Sequence, residues 1–228
     1  MKRRYKGLDL CCCAGGASVG YFLAGFDMTG VDMDPQPDYP FRFIQGDALT
    51  VDLADYDFIH ASPPCQEHTR LKGLAKGTPN QKDIIAPLRE RLIAAGVPYI
   101  MENTPGAPLR DYIKLRGDMF GLGVIRERWF ESNIPIMAPP MESPVRGAAF
   151  RQNYVCVAGH GRSNRPWEAS RYWGAAMAIG WMTRDELAEA IPWFYTLYLG
   201  GVIRQHLQIT RKKVRPVGVS ETPYLVGL

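Results

Sequence analysis

Four short stretches of this 228-residue chain carry the side chains best suited to chemistry, and each follows an apolar run. The first, Leu8-Asp9-Leu10-Cys11-Cys12-Cys13-Ala14-Gly15-Gly16, reads as a strand entering a glycine turn and then a helix. Glycine admits close backbone approach and a helix N-terminus attracts an anionic group, so such a turn can hold a nucleotide-like molecule; a Gly-Gly after a strand is equally an ordinary turn. Asp32, 17 residues past Gly15 at the end of the next run, sharpens the first option, because a carboxylate there can accept both hydroxyls of a ribose. Asp47 closes the third run. The second stretch is Ser62-Pro63-Pro64-Cys65-Gln66. Its prolines stiffen a loop that holds Cys65 above the C-terminal edge of a sheet, where α/β sites lie. Cys65 then reads as a nucleophile, as a structural thiol, or, with His60 and His68, as part of a zinc site that lacks a fourth ligand. The third is Glu102-Asn103-Thr104-Pro105-Gly106, an acid at a strand end that could equally be a surface residue or a helix cap. The fourth is Arg126-Glu127-Arg128; two arginines at i and i+2 of a strand share a face and can converge on one oxygen-rich group, or line a solvated surface.

The elements that must position these groups follow from apolar runs and turns. Strands are expected at Lys6–Cys11, Met28–Asp32, Phe41–Gln45, Asp57–His60 and Tyr99–Glu102, with a helix at Ala17–Ala24. Gln81–Ala95 carries a helical stripe of Ile84, Ile85, Leu88, Leu92 and Ile93. Strands alternating with helices predict an α/β domain with a mainly parallel sheet. Four prolines between Ile134 and Pro144 suggest a crossing linker, and Gly159, His160, Gly161 and Asn164 a loop. Thr183 and Glu186 have the spacing of a capping box that opens a helix through Ala190, and a last helix is expected from Trp193 to Gln205, after Pro192.

Composition bounds the function. At 46% hydrophobic residues a chain of this length can bury roughly 70% of its unfolded surface, so disorder and disulfide-stapled miniprotein classes are excluded. No apolar stretch is long enough to span a membrane, and the five cysteines lack framework spacing, so a reduced, cytosolic protein is expected, with Cys11, Cys12 and Cys156 as small apolar fillers. The formal charge of +4 comes from 27 Lys and Arg against 23 Asp and Glu. Eight of those cations lie in the runs 2–6 and 211–215, and without them the balance is 19 against 23. Residues 145–172 hold Arg146, Arg151, Arg162, Arg165 and Arg171 against one acid, Glu168, so positive charge is concentrated at both ends and in one internal segment.

In chain order, the four stretches resemble the cytosine-5 DNA methyltransferase family, over residues 8–133 and more faintly over 179–200. Pro-Pro-Cys-Gln followed by Glu-Asn and then Arg-x-Arg is a specific combination. The resemblance implies a class I, Rossmann-like S-adenosylmethionine-dependent fold: a mainly parallel sheet with helices on both faces and a small irregular appendage. It divides the chain into a catalytic and cofactor-binding core at 1–133, a reduced target-recognition region at 134–180, completing helices at 181–210 and a basic tail at 211–228. It implies that the Cys65 thiolate adds to C6 of a flipped-out cytosine, activating C5 for the methyl group, and that elimination of the C5 proton frees Cys65. Glu102 would bond the N3 and amino edge of the base, and Arg128, supported by Arg126, would stabilise charge at its carbonyl.

For S-adenosylmethionine the resemblance implies Asp9, Gly15 and Gly16 near the methionine part, Asp32 at the ribose, Met33 on an adenine face and Asp47 at the adenine amino group, with Cys11, Cys13, Ala14, Ala48, Ser62 and Pro64 also in the cofactor-binding set; Ser62, Pro64 and Gln66 would shape the base pocket. Gln66, Asn103, Arg151, Arg162, Arg165 and Arg171 would meet DNA. The expected protein is a monomer of a bacterial or phage-infected cytoplasm, with no obligate metal. RNA or free-nucleotide cytosine modification, and an idle or altered-donor nucleic-acid-binding homologue, are the alternatives. The family pattern has Phe and Gly where this chain has Cys11 and Cys13, which adds a side chain beside the cofactor. Ile191-Pro192-Trp193-Phe194-Tyr195 is bulkier than the closing helix it resembles and suits core packing equally. The shortness of 134–180 predicts a short or relaxed sequence preference.

Overall fold

The computed structural model describes residues 4–64, 83–140, 154, 155, 157 and 166–214, with backbone alone for 166–170 and 211–214. Its seven strands are β1 (Tyr5–Leu10), β2 (Phe26–Asp32), β3 (Arg42–Gln45), β4 (Phe58–Ala61), β5 (Tyr99–Asn103), β6 (Ile113–Leu115) and β7 (Arg128–Ser132). They form one sheet in the order β3-β2-β1-β4-β5-β7-β6. β1 to β5 pair in parallel, while β7 runs antiparallel to both of its neighbours. Five helices flank it: α1 (Gly16–Leu23), α2 (Ile85–Ala95), α3 (Pro166–Met177), α4 (Arg184–Glu189) and α5 (Trp193–Val214).

Alternation along the strands feeds two cores, one per face. Leu8, Leu10, Val31, Ile59 and Met101 pack with Ile85, Leu88 and Leu92 of α2. Phe26, Met28, Phe58, Ile100 and Phe130 pack with Tyr21 of α1 and with Tyr195, Leu199 and Ile203 of α5. Each such side chain stabilises the fold by roughly 1.5–3 kcal/mol when fully buried. Close helix approach seals the second core: a Cβ on Gly20 would collide with the Thr196 hydroxyl and the Trp193 carbonyl, and one on Gly200 would press on Ala24.

The expected strands and first helix lie where the apolar runs put them, within two residues at each end. The α2 helix begins at Ile85, not Gln81, among the described residues; Pro87 clashes with the carbonyl four residues back, so it tolerates only a first-turn position. Ile93, expected in the stripe, is 56% exposed, and Arg89 is buried instead. The sequence reading missed β6 and α3, whose backbone begins at Pro166, just past the expected loop at 159–164. Thr183 caps α4 with both bonds of the capping box. The last helix continues through Val214, so the start of the expected basic tail is helical.

Candidate active site

The first stretch turns sharply off β1. Cys11 and Cys13 adopt φ of 59° and 43°, a left-handed conformation costing roughly 1–2 kcal/mol for a residue with a Cβ, and Gly15 adopts 83°. Backbone hydrogen bonds hold the turn: Cys12 N–H donates to Val31 O at 3.1 Å and Gly15 N–H to Cys12 O at 3.0 Å. Asp32 is its anchor, accepting Cys13 N–H on Oδ2 at 3.0 Å and Asp34 N–H on Oδ1 at 3.1 Å. The Cys13 thiol turns toward α4 and donates to Glu189 Oε2 at 3.8 Å. Burial, reinforced by the carboxylates Asp32 and Asp9, pushes the Cys11 thiol up to about 12, and burial also raises Cys12 and Cys13, so none of the three is a ready nucleophile. Ala14 and Gly16 are buried under the C-terminal segment, where Trp181 Nε1 donates to Ala14 O at 3.0 Å and a Cβ on Gly16 would strike Ile191 O, while the buried Gly15 packs against Tyr39 and Pro40.

Around this turn Met33 is 69% exposed, Asp47 accepts Leu49 N–H at 2.8 Å, and the Ala48 carbonyl takes a hydrogen bond from Arg91. Asp9 lies wholly buried beneath it. Its Oδ2 accepts the Ser18 hydroxyl at 2.5 Å, Ser18 meets the Tyr39 hydroxyl at 2.6 Å, and Oδ1 has no partner among the described residues. Burial above all pushes the Asp9 carboxyl up to about 7, with Ser18 opposing and the Asp32 and Glu102 charges adding.

The remaining stretches meet at the ends of β4, β5 and β7. Asn103 donates from its amide to the Pro63 carbonyl at 2.9 Å, tying the Ser-Pro-Pro loop to β5. Glu102, 6% exposed, faces Arg128, whose Nε stands 3.1 Å from Oε1. That contact is an ion pair without hydrogen-bond alignment, and Oε1 accepts no hydrogen bond among the described residues. Burial raises the Glu102 carboxyl above its usual range, against the opposing pull of Arg128, the Ser62 hydroxyl and Arg126. Ser62 itself lies 2.9 Å from His60 Nε2, and His60 Nδ1 lies 3.0 Å from the Tyr21 hydroxyl. Burial drives His60 down to about 3, which keeps it neutral and makes it unlike a cationic base.

Arg126 departs from expectation. It lies before β7 at φ 35°, so strand alternation does not put it on the face of Arg128. Its guanidinium donates to the carbonyls of Ala190 (2.6 Å), Ala188 (2.7 Å) and Val157 (2.8 Å), which satisfies the end of α4. Pro64 sits half-buried at the last described position of its loop, and Arg171 is exposed on α3. Cys65, Gln66, His68, Arg151, Cys156, Arg162 and Arg165 lie outside the described residues. The sequence reading had no role for Tyr21, Ser18, Tyr39 or Glu189, and weighed His60 only as a metal ligand; the one available signal was a histidine ending an otherwise apolar run. Among the described residues no three His, Cys, Asp or Glu side chains gather as a metal site, and no helix is long and apolar enough to cross a membrane.

No protein-family model and no curated protein sequence matches the chain. Solved structures do. The S. pombe Dnmt2 methyltransferase aligns over 90% of this chain and 99% of its own, with a TM-score of 0.60 at 13% identity. A candidate DNA modification methyltransferase encoded within an E. coli prophage aligns over 62% of this chain with a TM-score of 0.47 at 21% identity, and the aligned part spans about half of that protein, 52%. Together with the strand order and the reversed β7, the likeness shows that this chain has the Rossmann-like α/β fold of class I methyltransferases.

Proposed function

We propose that this protein transfers a methyl group from S-adenosylmethionine to C5 of cytosine in DNA. The observation that carries the reading is the joining of three strand ends: Asn103 holds the Pro63 carbonyl, Ser62 meets His60 of β4, and Arg128 pairs with Glu102, all at the base of the loop that continues into Cys65. The donor's binding groups fit what is present. Each oxygen of Asp32 accepts one backbone N–H and retains lone-pair capacity for a ribose hydroxyl, Met33 is exposed beside it, and Asp47 and Ala48 close the next strand. Bound there, S-adenosylmethionine supplies an electrophilic methyl carbon.

The chain's own groups do the rest. The Cys65 thiolate adds to C6 of the base, and β-elimination later breaks that bond as the C5 proton leaves. Glu102, raised by burial, is suited to share a proton with N3 as the thiolate attacks. Arg128 supplies positive charge for the base carbonyl, while Arg126 holds α4 and acts by positioning. Arg151, Arg162, Arg165 and the exposed Arg171 would meet phosphates.

Incubation with tritiated S-adenosylmethionine and, in parallel, duplex DNA, single-stranded DNA, RNA or a cytidine nucleotide tests the reading. Label should enter DNA, fall to background in Cys65→Ala, and give a covalent complex on DNA containing 5-fluorocytosine. Label confined to RNA or nucleotide overturns the substrate, and undiminished transfer by Cys65→Ala overturns the nucleophile. The left-handed Cys11 and Cys13 favour a second reading, a homologue that binds nucleic acid with an altered donor. Calorimetric titration with S-adenosylmethionine decides between them, because that homologue gives no binding heat.

A further inference from the structure

The segment between β2 and β3 is fastened at both of its ends to the turn and helix that follow β1. At its start, Asp32 accepts Cys13 N–H on Oδ2 at 3.0 Å. Near its far end Tyr39, 8% exposed, packs its ring against the glycine turn. Two glycines make the room: a Cβ on Gly15 would lie 2.9 Å from Tyr39 Cδ2, and one on Gly30 would lie 2.7 Å from the Tyr39 hydroxyl, both closer than real Cβ atoms approach. Contacts with Phe41 and Phe43, at ring-centroid distances of 5.9 and 6.0 Å, hold the phenol in place. Its hydroxyl then enters a buried file. Ser18 of α1 donates to Asp9 Oδ2 at 2.5 Å, and a hydroxyl has one hydrogen, so the Tyr39 O–H is the donor across the 2.6 Å to Ser18 Oγ. Asp9 and Ser18 are both 0% exposed, so water does not replace these bonds when one is lost. Asp32 and Met33 have separate support from β3: Gln45 Nε2 donates to the Met33 carbonyl at 3.0 Å, and Gly46 N–H to the Asp32 carbonyl at 2.8 Å. Two side-chain ties therefore join these residues to the glycine turn and α1, Asp32 to Cys13 and Tyr39 to Ser18.

We infer that Tyr39 is a positioning residue for the methyl donor: through Ser18 and Asp9 it fixes the distance between the glycine turn, which would meet the methionine part, and the wall of Asp32 and Met33, which would meet the adenosine part. The inference rests on the reading of S-adenosylmethionine as the donor. A molecule that touches both walls gains from their fixed spacing, and one that touches a single wall does not.

Calorimetric titration of the whole chain with S-adenosylmethionine and with adenosine, and amide hydrogen exchange without ligand, test the tie in Tyr39→Phe, which keeps the ring on Phe41 and Phe43 and removes only the hydroxyl. The Kd for S-adenosylmethionine should rise about five- to tenfold, the weight of one buried hydrogen bond, while that for adenosine changes by less than about twofold. The Cys13 and Gly15 amides should exchange about tenfold faster, with the Gly46 amide unchanged. In a Ser18→Ala background, where the acceptor is already gone, Tyr39→Phe should add nothing. Equal weakening of both ligands, or exchange that quickens at Gly46 as much as at Gly15, makes Tyr39 a general support of the fold and overturns the inference. Unchanged affinity for S-adenosylmethionine overturns it as well. If the exchange contrast holds while the unmodified chain binds neither ligand, the donor reading fails and the tie stands; if the unmodified chain binds both and Tyr39→Phe behaves like it, the tie fails alone.

Discussion

Two glutamates of the same sheet edge, each paired with an arginine, have opposite fates. Glu131 on β7 accepts Nε and Nη2 of Arg89 at 2.7 and 2.8 Å, the Arg110 backbone N–H at 2.7 Å and the Tyr99 hydroxyl at 3.2 Å. Burial works against its charge, but these donors prevail and hold its carboxyl below the usual range. Glu102 on the adjacent β5 is similarly inaccessible but lies deeper in the protein, Arg128 meets it out of alignment, Oε1 has no hydrogen bond among the described residues, and burial raises its carboxyl. Similar surface exposure and an equal partner type therefore do not decide a carboxylate's state; the depth of burial and the number of aligned donors together do. The saturated pair is a joint between α2 and β7, and the undersaturated one retains capacity for a ligand.

Breaking each pair should expose the contrast. Glu102→Gln should lower the methyl-transfer rate by about 10²–10⁴-fold while leaving the melting temperature at or above that of the unmodified chain, measured by single-turnover transfer and calorimetry. Arg89→Met strands Glu131 as a buried charge and should cost about 3–5 kcal/mol in urea unfolding, with transfer per folded molecule unchanged. The sign of its pH dependence follows: the folded carboxyl of Glu131 lies below its ordinary value of 4.5, so its stabilisation is present above that pH and is lost as pH falls through the lower folded value. Arg89→Met should consequently flatten the acid limb of stability against pH. The smallest effect is expected from Asn103→Ala, which frees the Pro63 carbonyl; a loss of about 1 kcal/mol in unfolding and a slower transfer step would mark the clamp on the loop.

Local signals were legible where local physics decides. The glycine turn before α1, the Thr183 capping box and the strand ends at Asp32 and Glu102 depend on nearest neighbours, and all can be read along the chain. Strand β6, three residues long, has too few positions to show a period, and α3 begins in a segment dominated by Gly, Arg and Asn. The pairing of Arg126 with Arg128 failed for a different reason: same-face alternation holds only inside a strand, and the chain enters β7 at Arg128 after a left-handed residue. Motif identity put Glu102 in the site but said nothing of its protonation.

By itself, then, the order of residues determined the α/β class, the stretches that can do chemistry and their arrival at strand ends, because apolar periodicity and turn residues act over a few positions. Tertiary structure alone decided that Arg126 serves backbone carbonyls, that Glu131 is saturated and Glu102 is not, and that Tyr21 stands behind His60. Those facts depend on which strands become neighbours and on how many donors reach a buried oxygen, and both arise from contacts between residues far apart along the chain.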